Sequence, residues 1–218
     1  MALPQPMPRA YHSRRRAEAA EETRTRILEA ARGLLAGRGN LDDFSMETIA
    51  ERAGVSRMTV YYQFESRAGL LDGLADYLAQ RGGMARMREV FVEPELRPAF
   101  AKLVETFVGF WASDRVALRR MRAMAVVFPR DTAGPRDRDA WRREAIVNLL
   151  ARHRYGGTSG RTPPNDLIDT LAMLTSFEAF DLLCTGERDA AAVAALLTRL
   201  GLAELENGAT HGKRGHPR

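Results

Sequence analysis

The side chains best suited to chemistry cluster between residues 45 and 67. Arg57, Tyr61 and Arg67 can each engage a polyanion. A guanidinium forks onto phosphate oxygens or onto the O6/N7 edge of guanine, and a phenol hydroxyl donates to phosphate. Met58 and Thr59 follow Arg57 directly and could meet a thymine methyl or a phosphate. Tyr62 and Gln63 extend the same stretch toward the backbone of such a partner. Ser45, Ser56 and Ser66 each stand where a helix begins, and a helix N-terminus offers free N–H groups to phosphate. Each residue also has a plainer reading: Arg57 as solvated charge, Tyr61 as core beneath a helix, the serines as caps with no ligand.

These side chains need two short helices held close together. Ser45 opens the first, with Phe44 and Ile49 at the two positions of a hydrophobic staple. Gly54 stops it and supplies a turn residue tolerant of positive φ. Ser56 then opens a second helix over Ser56 to Gln63, stapled by Val55 and Val60. Ala50 and Ala53 leave room for a close crossing, and Phe64 belongs to the core. Upstream, Ile27, Leu28, Ala31, Leu34 and Leu35 repeat at helical spacing until Gly37 and Gly39. Downstream, Ser66 caps a helix carrying Leu70, Leu71, Leu74, Tyr77 and Leu78, with Gly82-Gly83 at its end. Further helices are predicted over 95–113, 115–128, 137–154, 164–185 and 189–205, separated by Pro94, Pro129, Gly134-Pro135, Gly156-Gly157, Pro163-Pro164 and Gly186. No sustained alternation of apolar and polar residues suggests a sheet, so the fold class is all-α. The expected division is a flexible basic arm over 1–20, a helix-turn-helix over 21–66, a larger helical domain over 67–206 and a disordered tail over 207–218.

The string Phe44-Ser45-x-x-x-Ile49-Ala50-x-x-Ala53-Gly54-Val55-Ser56-x-x-Thr59-Val60-Tyr61-x-x-Phe64-x-Ser66-Arg67-x-x-Leu70 resembles the DNA-binding region of the TetR (tetracycline-repressor-like) family. The likeness covers about 23–72. It departs at Arg67, where the family usually has Lys, and at Met58, where a small residue is common. The resemblance implies a homodimeric transcriptional regulator, most often a repressor, binding a palindromic operator in double-stranded DNA. It also implies a second domain that takes a small-molecule effector and builds the dimer through its final helices. Tyr61 would donate its hydroxyl to phosphate, and Arg67 would hold the backbone. Two other readings stay open: a ligand-binding or enzymatic helical protein with an incidental helix-turn-helix, and a DNA-binding regulator that needs no ligand.

Past residue 75 the informative residues are large and apolar. Phe107, Phe110, Trp111, Met121, Met124, Phe128, Trp141, Phe177 and Phe180 could surround a largely apolar effector, since ligand cavities in bundles are lined by such side chains and Met adapts to irregular shapes. Ordinary core is the competing reading for each. Among these, Phe107, Trp111, Met121, Met124, Phe128, Trp141 and Phe177 are the candidate ligand residues, joined by Asp181, one turn from Phe177, as a partner for a cationic group. Arg119, Arg120 and Arg122 would favour an anion if one of them turned inward, and otherwise form a solvated face.

Catalytic constellations are not evident. His12, His153, His211 and His216 lie in no HxxxH or HExxH pattern, there is no CxxC, and GxSxG, Walker and GxGxxG loops are missing. The expectation is therefore no enzyme activity, no metal and no cofactor. Cys184 is the only cysteine, which excludes an intrachain disulfide framework and suits a reducing, cytoplasmic setting. No apolar run approaches the ~20 residues of a membrane span. The chain has 218 residues, 45% of them hydrophobic, enough for a sizeable core. Its net charge of +5 permits a polyanionic partner without locating one. Residues 1–16 carry four arginines and no acid, while residues 17–70 have a net charge of −2. Arg14, Arg15 and Arg16 could follow a DNA backbone, enter a minor groove, or stay solvated.

Overall fold

Short-range signals set the helix ends in the N-terminal part of the chain. A computed structural model describes residues 9–128, 134–155 and 163–214, with side chains described over 14–128, 138–155 and 163–207. Helix α1 spans Arg9–Ala36, α2 Met46–Ala53 and α3 Arg57–Phe64. Ser45 caps α2 by accepting the Thr48 N–H at 3.1 Å, and Ser56 caps α3 by accepting the Thr59 N–H at 3.0 Å. Such a cap contributes about 1 kcal/mol. Both staples close on buried side chains: Phe44 and Ile49 for α2, and Val60 beneath a half-buried Val55 for α3. Gly54 ends α2 at φ 65° and ψ 38°, a left-handed conformation that favours glycine. Helix α3 ends less conventionally, on Glu65 at φ 62°, with its N–H donating to the Tyr61 carbonyl at 2.7 Å.

The chain divides into two compact units, Met1–Leu74 and Ala75–Arg218. The boundary falls inside α4 (Arg67–Arg81), later than the expected break at 66. Leu70, Leu71 and Leu74 are buried, as are Ile27, Ala31, Phe44, Ile49, Val60 and Phe64, and fall within the first unit. The expected flexible arm also needs correction. Helix α1 already begins at Arg9, because no proline follows Pro8 and the segment is rich in alanine, arginine and glutamate. Arg14 and Glu18 add an i,i+4 ion pair at 3.2 Å. Residues 1–8 lie outside the described residues.

In the second unit α5 (Met87–Val92), which the sequence pattern did not predict, precedes α6 (Leu96–Ser113) and α7 (Arg115–Val127). Then follow α8 (Gly134–Arg152), α9 (Asn165–Leu174), α10 (Phe177–Leu183) and α11 (Ala190–Arg214). Helix α6 is central, packing on α5, α7, α8, α10 and α11. Its buried face carries Ala99, Phe100, Leu103, Val104, Phe107, Val108, Phe110 and Trp111. Gly201 permits the close approach of α11, since a Cβ there would sit 2.3 Å from the Phe100 ring.

The single helix expected over 164–185 is two helices. The Thr175 hydroxyl turns back to the Leu171 carbonyl at 2.9 Å, and Ser176 starts α10 by accepting the Ala179 N–H at 3.1 Å. The Thr175 carbonyl, which a continuous helix would pair with that N–H, instead accepts the Trp111 indole N–H at 3.1 Å. The expected tail is shortened too: α11 continues through residues 207–214, with no proline before Pro217 to stop it. Residues 215–218 lie outside the described residues. Among the described residues no strand occurs, and no helix is long and apolar enough to cross a membrane.

Candidate functional site

Helix α3 has two faces. Val60 and Phe64, one turn apart, point into the core. Arg57, Met58, Tyr61 and Tyr62 make up the other face, with Met58 63% and Tyr62 84% exposed. This leaves an apolar methionine and a tyrosine open on a short helix. Thr59 lies between the faces, its hydroxyl 2.8 Å from the capping Ser56 Oγ.

Arg57 is already oriented. Its Nη2 donates to the Tyr61 hydroxyl at 3.2 Å, and its Nη1 lies 2.5 Å from Glu47 Oε1 at the start of α2. The hydrogen bond to Tyr61 first, and the Glu47 charge second, raise the guanidinium pKa above its ordinary value. A phenol hydroxyl has one donor and two acceptor sites. Because Arg57 donates into it, the Tyr61 hydrogen is left to donate elsewhere. Ser45 and Ser56 therefore flank a surface bearing one cation, one phenol donor and two helix starts.

Two predicted residues are engaged differently. Gln63 turns toward α1: its Nε2 donates to the Ala20 carbonyl at 3.5 Å, and its own carbonyl accepts from Arg24 Nη1 at 2.9 Å. Arg67 is half-buried, with its guanidinium 5.8 Å over the Phe44 ring and its Nε and Nη2 shut off from solvent. A phosphate grip through those nitrogens would require Arg67 to leave Phe44. Ser66 accepts the Gly69 N–H at 3.1 Å and remains exposed. Arg14 extends along α1, paired with Glu18, and Arg15 and Arg16 are likewise helical and exposed.

Two participants escape the sequence pattern. Glu47 fixes Arg57. Arg24 bonds the last turn of α3 and stacks 4.3 Å over the Phe64 ring, tying α1 to the end of that helix. Neither belongs to a motif, and each becomes visible only when helices distant in sequence are packed together.

In the second unit the aromatic candidates come together. Phe107 stacks on Trp111 at 6.2 Å, Trp141 meets Phe107 edge-on at 6.4 Å, and Phe177 meets Trp111 edge-on at 5.6 Å. Phe107, Trp111 and Phe177 are buried, but Trp141 is 47% exposed. Met121 and Met124 lie on the buried face of α7, and Phe128 is half-buried just beyond it. Asp181, expected as a partner for a cationic group, is held by two arginines. Arg115 and Arg119 both bond its carboxylate, at 2.5 and 2.6 Å, and the Arg119 hydrogen bond is the largest influence lowering its pKa. Arg122 turns partly inward and spans two helices, reaching Asp139 at 3.1 Å and Glu178 at 2.6 Å. Burial alone would raise the Asp139 pKa, yet hydrogen bonds and charge from Arg122 and Arg142 hold it below the ordinary carboxylate value. Among the described residues no group of three His, Cys, Asp or Glu side chains could hold a metal ion.

A capped helix, a left-handed glycine turn and a second capped helix with an exposed basic and aromatic face, packed on a third helix, define a helix-turn-helix unit. Residues 27–74 match the model for "Bacterial regulatory proteins, tetR family". The likeness is confined to this N-terminal region. The chain is 40% identical over 86 residues to a Pseudomonas putida protein named "Probable HTH-type transcriptional regulator ArpR", covering 39% of this chain and 40% of that one. It is 42% identical over 65 residues to the HTH-type transcriptional regulator TtgR, also of Pseudomonas putida, 30% of each chain. The matched stretches thus span less than half the length of these curated relatives. A crystal structure of RolR with resorcinol aligns over 93% of this chain and 98% of that one, at 20% identity and a TM-score of 0.46.

Proposed function

We propose that this protein is a ligand-responsive transcriptional repressor that binds a palindromic operator as a homodimer. The carrying observation is the exposed face of α3, where Arg57, oriented by Glu47 and Tyr61, stands at the helix start that a helix-turn-helix inserts into the major groove. The effector is a small, largely apolar molecule taken by the second unit beside Phe107, Trp111, Trp141 and Phe177. It lowers operator affinity by its differential affinity for the DNA-competent and DNA-incompetent states. Met173, Leu182 and Leu200, exposed apolar side chains on α9, α10 and α11, support an interface built by the final helices.

The test is selection of bound duplexes from a random pool with purified full-length protein. The selected sequences should converge on an inverted repeat, bound with two chains per duplex in sedimentation. Binding without a preferred sequence would overturn the reading in favour of an incidental helix-turn-helix.

A further inference from the structure

Arg142 is the most deeply buried guanidinium of the second unit's ion-pair network, with its side chain only 8% exposed. It lies on the face of α8 that also buries Ala145, Ile146 and Leu149. A buried guanidinium is retained only if anionic oxygens surround it. The other arginines of the network meet that demand: Arg115 and Arg119 share Asp181, and Arg122 bonds both Asp139 and Glu178. Arg142 has one bond, from Nη1 to Asp139 Oδ1 at 2.7 Å, and that carboxylate is simultaneously held by Arg122. Its Nε is sealed from solvent and meets no acceptor among the described residues. Among the described residues, four guanidiniums here share three carboxylates.

The neighbourhood of this group is aromatic. Trp141 precedes it and meets Phe107, which stacks on Trp111. From the other side, Asp139 leads to Arg122, whose guanidinium lies 5.8 Å over the Phe177 ring, and Phe177 packs on Trp111. A buried cation with an unused donor is thus linked, through Asp139 and Arg122, to a cluster of rings, one of them half open to solvent. Carboxylates pair with arginine as a fork onto two nitrogens. Asp139 uses Nη1, so the edge that includes Nε is the one left for a second carboxylate.

We infer that Arg142 reads an anionic group on the effector, so that the second unit selects aromatic carboxylates over their uncharged counterparts. This rests on the proposed effector-binding role of that unit and assigns its substrate class. Binding follows from geometry: the rings take the apolar body and Arg142 takes the carboxylate.

Trp111 and Trp141 are the only tryptophans in the chain, so intrinsic fluorescence reports directly on this cluster. Full-length protein is titrated with a panel of aromatic acids, from benzoate to 2-naphthoate, each paired with its own amide. At least one acid should bind tenfold or more tightly than its amide in the wild-type protein. Arg142→Gln should abolish that preference, and Arg142→Lys should keep part of it, with far-UV circular dichroism unchanged. Equal affinity for acid and amide across the panel overturns the inference. So does an acid preference that survives Arg142→Gln. The wild-type comparison decides even if a variant fails to fold. Operator release is measured separately: an acid that binds through Arg142 without releasing DNA sustains this assignment and sinks the regulatory role instead.

Discussion

At the scale of single residues, the DNA-facing surface we propose is distributed over a few atoms with distinct jobs. In the function we propose, Arg57 reads a base, Tyr61 donates to phosphate, and Glu47 is the carboxylate that holds Arg57 ready. Both members of the Arg57–Glu47 pair are more than half exposed, so the pair orients the guanidinium and does not lock it. On the operator, guanine O6/N7 can displace Glu47. Arg57→Ala should therefore cost about tenfold or more at one base pair and flatten preference there, while leaving other positions of the site unchanged. Tyr61→Phe removes one hydroxyl and should weaken all duplexes about equally, with a shallower dependence on salt. Anisotropy titrations of operator and scrambled duplexes at several salt concentrations separate the two. If Arg57→Ala lost affinity uniformly, Arg57 would be a phosphate ligand and the base-reading role would pass to another residue.

At the scale of elements, what was legible in the sequence was local. Helices α2 and α3 announced themselves because caps, staples and Gly54 all act within five residues of one another. The aromatic cluster was legible as composition, and its members do meet, but periodicity gave no sign that Trp141 would be half exposed. What stayed hidden depends on distant partners. The break at Thr175 follows from a Trp111 indole 64 residues away in sequence. Glu65 ends α3 at positive φ, where glycine or asparagine is the usual signal, so nothing in the residue type marks the turn. Arg67, expected as a phosphate ligand, lies over Phe44, a placement that likewise depends on a residue distant in sequence. The ion pairs joining α7, α8 and α10 were equally invisible, and they carry a pH dependence. Asp139 and Asp181 have folded-state pKa values below the ordinary 3.8. A depressed carboxyl contributes stability that is present above its unfolded pKa and is lost as pH falls through the folded one. The wild-type protein should thus melt several degrees above Asp181→Asn at pH 5 to 7. The gap should close as pH drops below about 4. Melting curves across that range check it, and a gap independent of pH would remove the ion pairs as its cause.

At the scale of the whole molecule, net charge is a poor guide to the DNA-binding surface we propose. The chain is +5, yet residues 17–70, which hold the helix-turn-helix, are −2. Bulk attraction therefore does little for the reading face, and a single eight-residue helix reaches only a few base edges. High operator affinity then requires two reading heads bound together, since linking two weak contacts multiplies their effect only when both can engage at once. This makes spacing the sharpest test of the homodimer. Inserting about 5 base pairs between the half-sites turns one of them to the opposite side of the duplex, because a turn of DNA is about 10–10.5 base pairs. Affinity should fall to that of an isolated half-site. A rigid pair of heads gains little from a further 5, since the half-sites then face the same way but stand one turn too far apart. A pair joined flexibly would recover most of its affinity at 10. Titrating the three duplexes in parallel with a lone half-site measures whether the heads act together at all. An unchanged affinity at the 5-base-pair insertion would mean that each head binds alone, and the palindromic-operator reading would fail with it.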